Sequence, residues 1–172
     1  MNEFKRHISM IYKVLLHMPI LIVAILNVSL ANANQTLEWI DLIPENERSA
    51  YLAGVDAQIN HNGPQAKQSA IGAVRHDLDG NEITIAGFVI PLEGTESSVT
   101  EFLLVPFFGA CIHVPPPPAN QIIYVQFEEG APVTKLWDVV YVTGDLTTKT
   151  LNTDLATTGY LLTAENVSEY KE

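Results

Sequence analysis

Four consecutive prolines, Pro115 to Pro118, constrain this chain more than any other feature. Each locks φ and removes an amide donor, so the stretch cannot run through the middle of a sheet. It reads as an extended, polyproline-like connection. Such a connection is stiff before any ligand arrives, and it holds its neighbours in place at little entropic cost. The text on either side is strand-like, with Phe102 to Phe107 before the prolines and Ile122 to Phe127 after them.

Three more segments share that character. Glu82 to Pro91 follows the turn Asp77-Leu78-Asp79-Gly80-Asn81, Trp137 to Thr150 contains Gly144-Asp145, and Tyr160 to Val167 comes last. A glycine inside a strand marks a bulge or a bend, and both the first and the fourth of these strands carry one. The fold class is therefore mainly β with one N-terminal helix. Its architecture is a small five-stranded barrel or curled sheet, OB-fold-like. An OB-type barrel usually inserts a helix between strands three and four, but Glu128 to Leu136 holds Gly130 and Pro132 and reads as weakly helical at best. Ahead of the strands, Leu37 to Leu42 is short and apolar, with Trp39, Ile40 and Leu42. Pro44, Glu45 and Glu47 suit a first helical turn. Tyr51, Leu52, Val55 and Ile59 recur at helical spacing, predicting a helix over 45–59 packed on the barrel through Tyr51, Leu52 and Val55. Asn60-His61-Asn62-Gly63-Pro64 stops it, and 60–73 reads as a linker. The division is then 1–33 as a leader, 34–73 as helix and linker, and 74–172 as the barrel, with 34–73 packed on it as one domain.

The leader gives the address. Lys5, Arg6 and Lys13 precede an almost wholly apolar run from Val14 to Leu30, and Ala31-Asn32-Ala33 offers small residues where a signal peptidase reads. Cleavage after Ala33 places the protein in the periplasm with no membrane insertion; the alternative is that the run stays as an N-terminal inner-membrane anchor. No cysteine lies near the site to carry lipid. The remaining 139 residues make one domain and hold six basic and nineteen acidic side chains, a net charge of −13. Such a charge repels nucleic acid and anionic lipid and argues against both as partners. The bland meaning of the charge is solubility.

Only one cysteine, Cys111, is present, so an internal disulfide is impossible. Cys111 and His113 stand two apart just before the prolines, and in extended backbone such residues point to one face. A soft thiolate beside an imidazole suits zinc or copper. Two ligands do not close a site, so Glu93 or His76, with Asp77 behind them, would have to complete it. The same pair could be a nucleophile with its base. Against both stands the structural reading, in which Cys111 is a small buried hydrophobe and His113 bonds a carbonyl. No phosphate-binding glycine loop and no nucleophile-elbow serine is present, and no paired carboxylates stand out from the general acidity.

Several strings together resemble a known family: Trp39 with Asp41-Leu42-Ile43-Pro44, then Gly87-Phe88-Val89-Ile90-Pro91-Leu92-Glu93, Glu101 through Gln121, and Gly159-Tyr160. The chain is similar over nearly its whole length after the leader to the bacterial domain-of-unknown-function family numbered 3299. The stretch from Gly109 to Gln121 is the most specific part. The resemblance implies a small exported protein or lipoprotein of a Gram-negative bacterium. It also implies a link, for some members, to gene neighbourhoods for metal uptake, zinc above all.

The leading expectation is a non-enzymatic periplasmic accessory protein that binds zinc or copper, or a metal-handling partner, through Gly109 to Gln121. Cys111, His113, Glu93 and His76 are the candidate ligands. The first rival is a metal-free envelope interaction module whose docking ridge is Pro115, Pro116, Pro117, Pro118, Asn120 and Gln121. The second rival is a thiol enzyme with Cys111 as nucleophile.

Overall fold

The structure is a computed structural model of the chain, which divides into Met1–Ala33 and Asn34–Glu172. It describes residues 34–55, 68, 72–108, 110, 116–132 and 139–170. The leader, residues 56–59 of the expected helix, and Cys111, His113 and Pro115 lie outside the described residues.

Alternation along each strand sets what goes inside. In β2 (Asn81–Gly94) Ile83 and Ile85 are fully buried, in β3 (Ser98–Val105) Phe102 and Leu104, and in β4 (Ile123–Pro132) Ile123 and Val125. Val142 and Leu146 of β5 (Val140–Thr147) and Tyr160 and Leu162 of β8 (Tyr160–Glu169) complete the same cluster. The first half of β2, Asn81 to Gly87, pairs antiparallel with β5, and its second half, Phe88 to Gly94, pairs antiparallel with β3. From there β3 pairs antiparallel with β4, β4 parallel with β8, and β8 antiparallel with β5, so the sheet closes on itself. Five main strands in this circuit make the expected closed barrel, and one strand shared between two partners is how it closes.

The glycines sit where the curvature is made. Gly87 is the last β2 residue paired with β5, and a Cβ there would lie 2.8 Å from Leu104 Cγ and 3.0 Å from the Trp39 ring. Gly144 lies at a register shift against β8, where a Cβ would stand 2.7 Å from Ala164 Cα. Both close approaches require a residue without a side chain.

Three features depart from expectation. Gln35–Leu37 forms a short β1, parallel to Ile83–Ile85, so 34–73 supplies a strand as well as a helix. Glu128 to Pro132 continues β4 as strand, because Ala131 and Pro132 pair with Val99 and Ser98. The helix α1 runs Glu45–Val55, but Leu52 is 58% exposed and does not pack on the barrel; Tyr51 is half-buried. The polar run Glu45 to Ser49 leaves α1 no continuous apolar stripe. The anchor lies just ahead of it instead, in the buried Leu42 and Ile43. The 3₁₀ turn Trp39–Leu42 is held by Trp39 Nε1 donating to Ala86 O at 2.7 Å and Tyr160 Oη donating to Leu42 O at 2.8 Å. Arg75 Nη1 adds a bond to Asp41 O at 2.9 Å.

Candidate functional site

A strand that is apolar on both faces must be covered on both. Between Phe88 and Leu92, and between Phe102 and Val105, this chain is apolar at nearly every position. The inward residues fill the barrel. The outward ones, Ile90, Leu103 and Val105, form a second buried cluster with Ala110, Ile122 and Ala156, flanked by Phe88, Leu92 and Tyr124. Ala110 and Ile122 belong to the connection between β3 and β4, so the two ends of that connection pack over the outer face of β2, β3 and β4. Ala156 comes from the turn between the short strands β6 (Leu151–Asn152) and β7 (Thr157–Thr158), which pair as a small hairpin.

The segment is clamped where it leaves that face. Pro117 is buried, Pro116 and Pro118 are half-buried, and a 3₁₀ turn follows at Ala119–Gln121. Asn120 and Gln121 are almost wholly inside: Asn120 Nδ2 donates to Ala73 O at 2.9 Å and Gln121 Nε2 to Trp39 O at 2.8 Å. Their side chains brace the segment. Gln68 ties the prolines to the hairpin, with Nε2 donating to Pro117 O and Thr157 O, and Oε1 accepting from Thr157 N. Gly159 N donates to Ala119 O at 2.6 Å. At the other end the segment leaves two aromatic rings in water, Phe107 at 42% and Phe108 at 74% exposure. The Phe108 ring meets Phe88 edge-on with centroids 6.1 Å apart. Leu155, 41% exposed, stands beside Ala156 on the hairpin.

Further along β3 and β4 the same outer face turns acidic. Glu93 stands opposite Glu101 in the β2–β3 register, and Tyr124 donates its hydroxyl to Glu101 Oε2. Gln126 Nε2 donates to Glu101 Oε1 at 3.3 Å. Desolvation pushes the Tyr124 phenol up to about 12, helped by the hydrogen bond to Glu101 and the charges of Glu101 and Glu93. Beyond it lies an open cleft of about 460 Å³ walled by Glu101, Glu128, Glu129 and Glu165 among others.

The sequence candidates fall in different places. Glu93 is exposed at the far end of β2, next to the covered face. His76 is exposed ahead of the start of that strand, its Nδ1 3.3 Å from Thr148 Oγ1. They stand at opposite ends of β2 and do not converge. Asp77 is held by Arg75, and that hydrogen bond keeps its carboxyl below the usual range. Among the described residues no three His, Cys, Asp or Glu side chains are grouped as metal ligands. Glu101, Tyr124 and the pair Phe107-Phe108 were not singled out from sequence. Their signal was the polar residue breaking each apolar alternation, and aromatic residues placed straight after Pro106.

In OB-type barrels the outer face of strands two and three is the usual binding surface. Here those strands are β3 and β4. Half of their face is covered by the chain's own Ala110, Ile122 and Ala156, and the other half is lined by carboxylates. That surface repels a polyanion, with aromatic side chains at one end of it and an acidic cleft at the other.

Comparison with known proteins agrees with the fold. A family model described as a protein of unknown function (DUF3299) matches residues 39–169. The crystal structure of a DUF3299 family protein from Pseudomonas aeruginosa PAO1 is 35% identical with a TM-score of 0.63, covering 81% of this chain and 98% of that one. No curated protein matches.

Proposed function

This chain belongs to the DUF3299 family, and from that premise we propose that it is a non-enzymatic accessory protein of the bacterial envelope that docks another protein. The contact element is the proline-rich connection between β3 and β4, whose ends at Ala110 and Ile122 pack on the outer face of β2, β3 and β4. One observation carries the reading. The connection is anchored by buried Ala110, Pro117, Asn120, Gln121 and Ile122, yet it leaves Phe107 and Phe108 in water beside that anchor. An exposed aromatic pair on a braced scaffold contributes contact area at little entropic cost, as binding hot spots do. A photo-cross-linking residue at position 108, introduced in cells, tests it. A discrete cross-linked product is expected from 108 and none from the exposed position 166 on β8. Equal or absent products at both positions would refute the docking face.

A second reading is favoured by Glu93 lying opposite Glu101. Like charges across a strand pair are unfavourable, and a bound cation relieves them. In that reading zinc or copper is held by Cys111, His113 and Glu93. Metal analysis of protein purified without chelator is the test. About one metal per chain, lost in Cys111→Ala, supports it, and a metal-free wild type rejects it.

A further inference from the structure

We propose that the partner segment is an extended basic peptide carrying an aromatic or aliphatic anchor, which seats its anchor at Phe107-Phe108 and its cationic side chains in the acidic cleft on the open half of the β3–β4 face. The inference rests on the docking reading above and adds the chemistry of the partner.

The two halves of the face set the ligand's two requirements. At one end Phe108, Phe107 and half-buried Phe88 offer ring faces and edges to an apolar side chain. At the other, Glu101, Glu128, Glu129 and Glu165 wall the cleft, and among the described residues no lysine or arginine pairs with them. The described cations are used or placed elsewhere: Arg48 bonds Ile43 O and faces Asp41, Arg75 is bound to Asp77 and Asp41 O, and Lys149 follows β5. None of the described cations therefore supplies the cleft's counter-charge.

Geometry selects an extended ligand. Outward residues on β4, such as Tyr124, Gln126 and Glu128, recur every second position, about 6.5 Å apart. The carboxylates of the cleft come from three neighbouring strands, Glu101 from β3, Glu128 and Glu129 from β4 and Glu165 from β8, so an extended peptide with lysines or arginines at alternate positions presents several cations to them at once. β3 and β4 each have a neighbour on both sides over Glu101–Leu104 and Ile123–Gln126, so the ligand cannot join the sheet as a strand there. Recognition is by side chains across the face, and charge supplies the specificity. The same charge argues against the other occupants. A second copy of this acidic chain would bring carboxylates to carboxylates, and an anionic bilayer would be repelled.

The test uses the purified protein and a labelled nine-residue peptide with phenylalanine at one end and four lysines at alternate positions. Its counterpart has glutamate at those four positions. The lysine peptide should bind, weaken with rising salt, and lose roughly tenfold or more in affinity in Glu128→Lys/Glu165→Lys and again in Phe108→Ser. These side chains are exposed, so thermal unfolding of the variants should match the wild type. The inference is overturned if the lysine peptide does not bind, if both peptides bind alike, or if the charge-reversed variant binds the lysine peptide unchanged. Preference for phosphatidylglycerol vesicles, or self-association that blocks the peptide, overturns it too. The in-cell cross-link from position 108 separates the two levels. A cross-link abolished by Glu128→Lys/Glu165→Lys supports a basic partner. One that persists leaves the docking face standing and rejects the basic partner. No cross-link at all rejects both.

Discussion

Replacing Tyr160 by phenylalanine tests how the N-terminal turn is fastened to the barrel. Tyr160 is 0% exposed at the start of β8, and its hydroxyl joins three distant parts of the chain. It donates to Leu42 O at 2.8 Å and accepts from Arg75 N at 2.7 Å. The substitution keeps the ring and removes both bonds. Each bond contributes about 1 kcal/mol net, and each buried group left without a partner costs about 1–3 kcal/mol. Leu42 is itself fully buried, so its carbonyl gains no water in exchange, whereas the half-buried Arg75 amide recovers some. The expected loss is therefore about 2–4 kcal/mol, a large part of the roughly 5–15 kcal/mol that stabilises a domain. In thermal unfolding that is a drop of about 6–12 °C. Urea unfolding followed by tryptophan fluorescence measures the loss, with an unchanged slope showing that the unfolded state is the same. Tyr141→Phe, on a half-buried ring stacked against Tyr170, serves as a control and should stay within about 0.5 kcal/mol. Burial also raises the Tyr160 pKa, opposed by the Arg75 amide bond and charge. A proton held more tightly in the folded state stabilises it below the ordinary phenol value near 10. That contribution is lost as pH rises through the folded value, so Tyr160→Phe should lose less stability in alkali than the wild type. A loss under about 1 kcal/mol at neutral pH would show that the Tyr160 hydroxyl does not fasten the turn.

Three further outcomes follow from the geometry. Gly144→Ala should cost about 3 kcal/mol or more, because its Cβ would stand 2.7 Å from Ala164 Cα with the Thr163 carbonyl oxygen closer still; near-wild-type urea stability would show that β8 yields freely. Ultraviolet titration should find one phenol ionising at about 12, absent in Tyr124→Phe and moved down in Glu101→Gln; an unchanged curve in Glu101→Gln would remove the carboxylate from the account. Intact mass of the protein from a periplasmic extract should begin at Asn34, and residues 1–33 retained in a membrane fraction would favour the anchor instead.

Strand positions were legible because alternation is written in adjacent residues. All five barrel strands fall within a few positions of where Glu82–Pro91, Phe102–Phe107, Ile122–Phe127, Trp137–Thr150 and Tyr160–Val167 put them. Gly87 and Gly144 marked the points of curvature for the same local reason. The length of α1 beyond Val55 and the chemistry of Cys111 and His113 lie outside the described residues.

Pairing was decided by the whole chain. Nothing local states that β4 runs parallel to β8, or that three residues at Gln35–Leu37 join β2. A doubly apolar run such as Phe102 to Val105 announces two covered faces without saying what covers the second. Only the packing of Ala110, Ile122 and Ala156 against Leu103 and Val105 answers that. Asn120 and Gln121 show the limit most plainly. Polar residues after a proline run read as surface, yet both are buried, because the carbonyls of Ala73 and Trp39 reach them from 47 and 82 residues away. Glu93 and, after it, His76 are the further ligands that the sequence offers, but the strand between them holds them at its two ends. Local periodicity sets which residues can be strand or turn, whereas burial and convergence depend on contacts between residues far apart in the chain, and those exist only once the barrel has closed.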